Sequence, residues 1–144
     1  MAIREPRTKA VVKFCGDDQF IGITPSGHAQ ILDTNSKRSI GASPVELLLL
    51  ALGSCTGVDV ISILQKKRQK VSEYHIEVTG QRRDQHPRAY TEMRVRHIVR
   101  GRNLNAKAVE QAIELSETKY CSVAATLRPT VNILSTFELI EDTD

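Results

Sequence analysis

Cys55 and Cys121 are the residues in this chain whose type and setting could do chemistry. Cys55 follows Ser43-Pro44-Val45-Glu46-Leu47-Leu48-Leu49-Leu50-Ala51-Leu52-Gly53-Ser54, a capped apolar helix that the sequence predicts is interrupted at Gly53-Ser54. A helix restarting there would aim its first N–H groups near Cys55 and favour the reactive thiolate. Asp59, one turn later, would act the other way if ionised nearby. Cys121 lies in Lys119-Tyr120-Cys121-Ser122-Val123-Ala124-Ala125, where a second helical pattern restarts at Ser122. Two thiols at helical joints, far apart in sequence, suggest a redox pair that meets in space. A thiol peroxidase uses such a pair. One thiolate attacks the O–O bond, and a nearby thiol condenses with the resulting sulfenic acid before it over-oxidises. The plainer reading of either cysteine is a small buried hydrophobe. Cys15 ends a predicted strand without a motif, and that plainer reading suits it.

The other polar residues give weaker signals. Glu46 stands three residues after Ser43, the spacing of a capping box, so capping is its simplest role. His28, His75, His86 and His97 have no metal-ligand spacing with the cysteines, and no metal or other cofactor is expected. In Met93-Arg94-Val95-Arg96-His97-Ile98-Val99 one face carries Met93, Val95, His97 and Val99, and the other carries Arg94, Arg96 and Arg100. The arginine face reads as a solvated outer surface. A net charge of +3 gives nucleic-acid binding little support.

The elements that position these residues follow from patterning. A chain of 144 residues makes one domain by default, here 1–144. Lys9 to Cys15, Phe20 to Ile23 and His28 to Leu32 predict three strands, punctuated by Gly16-Asp17-Asp18 and Pro25-Ser26-Gly27. Ser43 and Pro44 open a helix that is apolar on nearly every side and should be central and buried. It ends in the basic run Lys66-Lys67-Arg68-Gln69-Lys70. Tyr74 to Val78 and Met93 to Val99 predict two more strands. Asn105 caps a helix carrying Ala108, Val109, Ala112, Ile113 and Leu115, Val123 to Leu127 a short helix, and Val131 to Phe137 a last strand. The order argues for an α+β domain. The longest apolar run, Leu47 to Leu52, is too short to span a bilayer. The first residues, Met1-Ala2-Ile3-Arg4-Glu5-Pro6-Arg7, lack a signal peptide's apolar stretch, so a cytoplasmic protein without membrane contact is expected.

Taken together, Ser43-Pro44-Val45-Glu46-Leu47 leading into Cys55, and Tyr120-Cys121-Ser122-Val123-Ala124, resemble the OsmC/Ohr superfamily of osmotically inducible and organic hydroperoxide resistance proteins. The resemblance covers roughly residues 9 to 140. Asp59 to Lys66 is more similar to its YhfA-like branch than to its Ohr branch. It implies an OsmC-like fold, with antiparallel sheets packed around a long central helix and a second helix. It also implies an intertwined homodimer with shared active sites. Cys55 would be peroxidatic and Cys121 resolving, and an external thiol, such as a dihydrolipoyl group, would reduce the disulfide. Where Ohr members have a glutamate directly after the helix proline, this chain has Val45, with Glu46 one residue later. On an unbroken helix Glu46 lies about half a turn out of phase with Cys55. Arg38, in the loop before the helix, is the candidate for the family's catalytic arginine. Leu48, Ala51, Leu52 and Val58 surround Cys55 with apolar groups and predict a preference for hydrophobic peroxides. A non-catalytic module binding small apolar or acyl ligands on the same scaffold is the alternative.

Overall fold

The computed structural model describes residues 8–143. The chain divides into two compact units, residues 1–48 and 49–144.

The first unit carries β1 (Val11–Gly16), β2 (Gln19–Ile23) and β3 (Ala29–Asp33), an antiparallel meander in that order. The β1–β2 turn places Asp17 and Asp18 at φ 57° and 62°. Both values suit a tight hairpin, and aspartate tolerates this left-handed region better than most residues. After β3, buried Asp33 organises the loop: its Oδ1 accepts from Asn35 N at 2.8 Å and its Oδ2 from Ile40 N at 3.1 Å. Ser43 then opens α1 (Pro44–Lys66) as expected. Ser43 N donates to Glu46 Oε1 at 2.9 Å, and Glu46 N donates to Ser43 Oγ at 3.3 Å. This is a complete capping box, and these bonds hold the Glu46 carboxyl below its ordinary pKa.

The second unit holds the rest of α1, then β4 (Lys70–Arg82), β5 (Tyr90–Arg102), α2 (Ala106–Leu115), a π-helical turn (Ser116–Tyr120), α3 (Ser122–Leu127) and β6 (Asn132–Glu141). Its sheet runs β4-β5-β6. Among the described residues, three of the four strand pairs are antiparallel as expected, and one departs from the expectation, since β5 and β6 pair in parallel. The connection through α2, the π turn and α3 is long enough to return the chain to the starting edge, which a parallel pair requires. On β5 the predicted faces hold. Met93, Val95, His97 and Val99 are buried. Arg96 lies between Glu77 and Glu138, and Arg100 Nε is 3.3 Å from Glu73. Val60, Leu64, Val99, Val109, Ala112 and Ile113 form the core that joins α1, β5 and α2.

Three expectations about α1 are revised. The helix runs unbroken through Gly53-Ser54 for 23 residues. The small residues there serve close approach rather than a break. A Cβ on Gly53 would lie 3.0 Å from Val78 Cγ2, and one on Gly57 2.7 Å from Ile76 Cδ1. The chain also buries only one stripe of the helix, Leu52, Gly53, Thr56, Gly57, Val60 and Leu64. Leu50 (65%) and Val58 (62%) are exposed on another face. Finally, the Leu47–Leu52 run understates the apolar length: the whole helix is long and apolar enough to cross a bilayer by composition, a test that core helices also pass.

Candidate functional site: a thiol pair between α1 and the π turn

Cys55 sits in the middle of α1, half-buried, with Asp59 four residues on and therefore on the same helix face. The unbroken helix removes the expected helix N-terminus from Cys55, since its neighbouring N–H groups are engaged within α1. Cys121 is buried and forms the joint between the π turn and α3. Its backbone N–H donates to Ser116 O at 2.8 Å, which closes the wide turn. Its sulfur caps α3, accepting from Ala124 N at 3.4 Å. The expected helix start at Ser122 is therefore present, with the thiol itself as the cap. Arg128 Nη1 donates to Glu117 O at 2.7 Å and ties the end of α3 to the same turn.

The two thiols are neighbours: the Cys55 side chain acts directly on the Cys121 thiol, and both are free. Burial pushes the Cys121 thiol up to about 11; the Ala124 N–H opposes this, while the Cys55 thiol and the Asp59 charge add to it. Cys121 is thus a neutral thiol near neutral pH.

A polar chain runs beside the pair. Ser116 Oγ donates to Asp59 Oδ2 at 2.8 Å. With that proton committed, Thr56 must donate in the 2.9 Å contact between Thr56 Oγ1 and Ser116 Oγ. Thr56 and Ser116 are both buried, so these bonds satisfy hydroxyls that would otherwise be costly. Nothing in the sequence marked Ser116, because a serine at a helix end reads as a cap or a surface residue. Its spacing from Asp59 is tertiary.

A second pair, half-buried Tyr74 and buried His97, lies on the sheet. Tyr74 Oη and His97 Nδ1 are 2.7 Å apart, and His97 Nε2 has no partner among the described residues. Burial lowers the His97 pKa to about 4 and raises that of Tyr74. The other expected site residues belong to the first unit. Arg38 forms an exposed ion pair with Asp17, and Glu46 belongs to the capping box. Among the described residues no group of three or more His, Cys, Asp and Glu side chains could hold a metal ion.

The site is thus a helix-embedded thiol beside a capping thiol in an α+β protein. The family model described as OsmC-like protein matches residues 34–135, and the chain belongs to that family. It is 42% identical over 132 residues to Protein YhfA of Escherichia coli strain K12, spanning 92% of this chain and 98% of that protein. A crystal structure of a hypothetical protein from Aquifex aeolicus is 34% identical, with a TM-score of 0.84, over 96% of this chain and 100% of that one. An organic hydroperoxide resistance protein from Elizabethkingia anophelis shares the fold at 11% identity, with a TM-score of 0.69, over 94% and 98% of the chains.

Proposed function

We propose that this protein is a thiol-dependent peroxidase that reduces organic hydroperoxides, with Cys55 peroxidatic and Cys121 resolving. The observation that carries the reading is the proximity of a half-buried thiol on α1 to a buried one that caps α3. The more accessible sulfur meets the peroxide, and the enclosed one waits within reach. Membership of the OsmC-like family supports a stress-related redox role. Ala51, Leu52 and Val58, three or four residues from Cys55 on α1, favour a hydrophobic peroxide over hydrogen peroxide. An external thiol, such as a dihydrolipoyl group, would reduce the disulfide, in a cytoplasmic setting where such thiols are kept reduced. The active unit is a homodimer. Exposed Leu50 and Val58 on α1, and exposed Phe14 and Ile31 on opposite faces of the β1–β3 sheet, support a second copy as their cover.

The test is mass spectrometry after one equivalent of cumene hydroperoxide. The expected product is a Cys55–Cys121 disulfide formed within seconds, and two thiols that stay reduced would overturn the reading. Turnover with hydrogen peroxide equal to that with cumene hydroperoxide would overturn the substrate preference alone. A second reading, a non-catalytic module for small apolar or acyl ligands, is favoured by the engagement of Glu46 in a cap and of Arg38 with Asp17. Cys55→Ser separates the two. Loss of peroxide reduction with the dimer intact supports the enzyme. Unchanged ligand binding, with no activity in either form, supports the module.

A further inference from the structure

Cys121 is held from two sides. Its own chain fixes it through the Cys121 N to Ser116 O bond and the Ala124 cap, and α1 fixes Ser116 in turn. Asp59 Oδ2 accepts the Ser116 hydroxyl at 2.8 Å, and Thr56 Oγ1 lies 2.9 Å from the same oxygen. Asp59 thus shares a helix face with Cys55 and, through one serine, grips the turn that ends in Cys121. A carboxylate beside a thiol pair is chemically pointed, because its charge opposes forming a thiolate nearby.

We propose that Asp59, bound through Ser116 to the turn that carries Cys121, is a positioning residue that sets the order in which the two thiols react: its carboxylate, added to burial, opposes loss of the Cys121 proton before Cys55 has been oxidised. The inference rests on the peroxidase reading for the identity of the oxidant, an organic hydroperoxide. In the first step the Cys55 thiolate attacks the distal peroxide oxygen. An S–O bond forms, the O–O bond breaks, and the leaving alkoxide takes a proton to become the alcohol. The sulfur loses two electrons and the peroxide gains them. In the second step the Cys121 sulfur attacks the Cys55 sulfur. The S–S bond forms, the S–O bond breaks, and the departing hydroxide leaves as water with the proton that Cys121 gave up. Only this second step needs the Cys121 proton to go, so a charge that retains it acts on ring closure.

The titratable groups acting on Cys121 are Cys55 and Asp59, both from α1. Those of its own turn are engaged elsewhere: Glu117 accepts from Ser135, and Lys119 Nζ lies 5.3 Å from the centre of the Tyr120 ring. Tyr74 and His97 on the sheet bind each other.

Asp59→Asn keeps an acceptor for Ser116 and removes the charge. With Cys15 and Cys55 replaced by Ser, the ultraviolet absorbance of the thiolate reports Cys121 alone, with no peroxide present. In that background Asp59→Asn is expected to move the Cys121 titration to lower pH. In the protein with all three cysteines, Asp59→Asn is expected to close the disulfide roughly threefold to tenfold faster near neutral pH in rapid-mixing experiments, with closure following the same pH displacement. A purely structural role predicts instead a slower closure with an unmoved pH profile, the outcome expected for Ser116→Ala. An unmoved Cys121 titration in Asp59→Asn overturns the proposal, whatever peroxide does. Absence of a Cys55 sulfenic acid, with the Cys121 titration displaced, overturns the peroxidase reading and leaves the assignment of Asp59 standing.

Discussion

At the scale of single residues, the site is a division of labour imposed by burial. Cys121 is enclosed beside Cys55, so its removal should separate oxidation from closure. Cys121→Ser is expected to leave Cys55 oxidised by an organic hydroperoxide without forming the internal disulfide. Excess peroxide should then carry Cys55 to the sulfinic or sulfonic state, read as added oxygen mass on the Cys55 peptide. His97 supports a prediction of a different kind. Its folded pKa, lowered to about 4 by burial, lies below the ordinary value of 6.5. The unfolded chain therefore binds a proton that the folded chain refuses. The stability contributed by neutral His97 is complete above about pH 6.5 and is lost as pH falls toward 4. The loss can reach about 3 kcal/mol. Urea unfolding followed across that range should show the slope, and His97→Phe should flatten it. Both cysteines and the inward face of His97 were legible in the sequence, one from motif and the other from period-two alternation. The Asp59–Ser116–Thr56 chain was not, because Asp59 and Ser116 lie 57 residues apart and only packing joins them.

At the scale of elements, α1 decides whether the pair meets. Gly53 and Gly57 let it approach β4, and Cys55 lies between them on the helix. Gly57→Val would place branched carbon where a single Cβ already comes within 2.7 Å of Ile76 Cδ1. Overpacking of this kind costs about 1–3 kcal/mol. The variant should unfold at lower urea concentration and, with α1 displaced from β4, should form the Cys55–Cys121 disulfide more slowly. A wild-type midpoint and closure rate would show that the approach is not required. Most of the elements could be read directly: the β1–β3 meander, the Ser43–Glu46 box, the Asn105 cap and the α3 start each follow from local chemistry. Asn105 Oδ1 does accept from Lys107 N and Ala108 N at 2.9 and 3.3 Å. The reading of Gly53-Ser54 as a break failed for a physical reason. Glycine in a helix can mark either a weak point or a close contact, and the partner strand that decides between them lies elsewhere in the chain. The parallel pairing of β6 was equally hidden, since strand direction follows from the path of the crossover rather than from the strand's own residues.

At the scale of the whole molecule, α1 presents exposed apolar side chains on one face. Leu50, Ser54 and Val58 recur at four-residue spacing along one face, and Leu50 and Val58 stand 65% and 62% exposed on this chain. Two large apolar side chains exposed on one helix face suit contact with another surface. A second copy is the cover we propose, because the stripe lies on the helix that carries Cys55, so assembly and site would share one element. Leu50→Glu and Val58→Glu each place a charge in that face without touching Leu52, Val60 or Leu64, which form the buried side. Each should raise the dimer dissociation constant by tenfold or more, since burying an unpaired carboxylate costs more than about 1.4 kcal/mol. Sedimentation over a range of concentrations would read the shift. Circular dichroism would check that the separated chains keep their helices. If the dimer is intact in both variants, the stripe lies outside the interface and its cover is something else. If the dimer dissociates while the Cys55–Cys121 disulfide still forms at its usual rate, the thiol pair is complete within one chain and the partner serves substrate access or stability rather than closure.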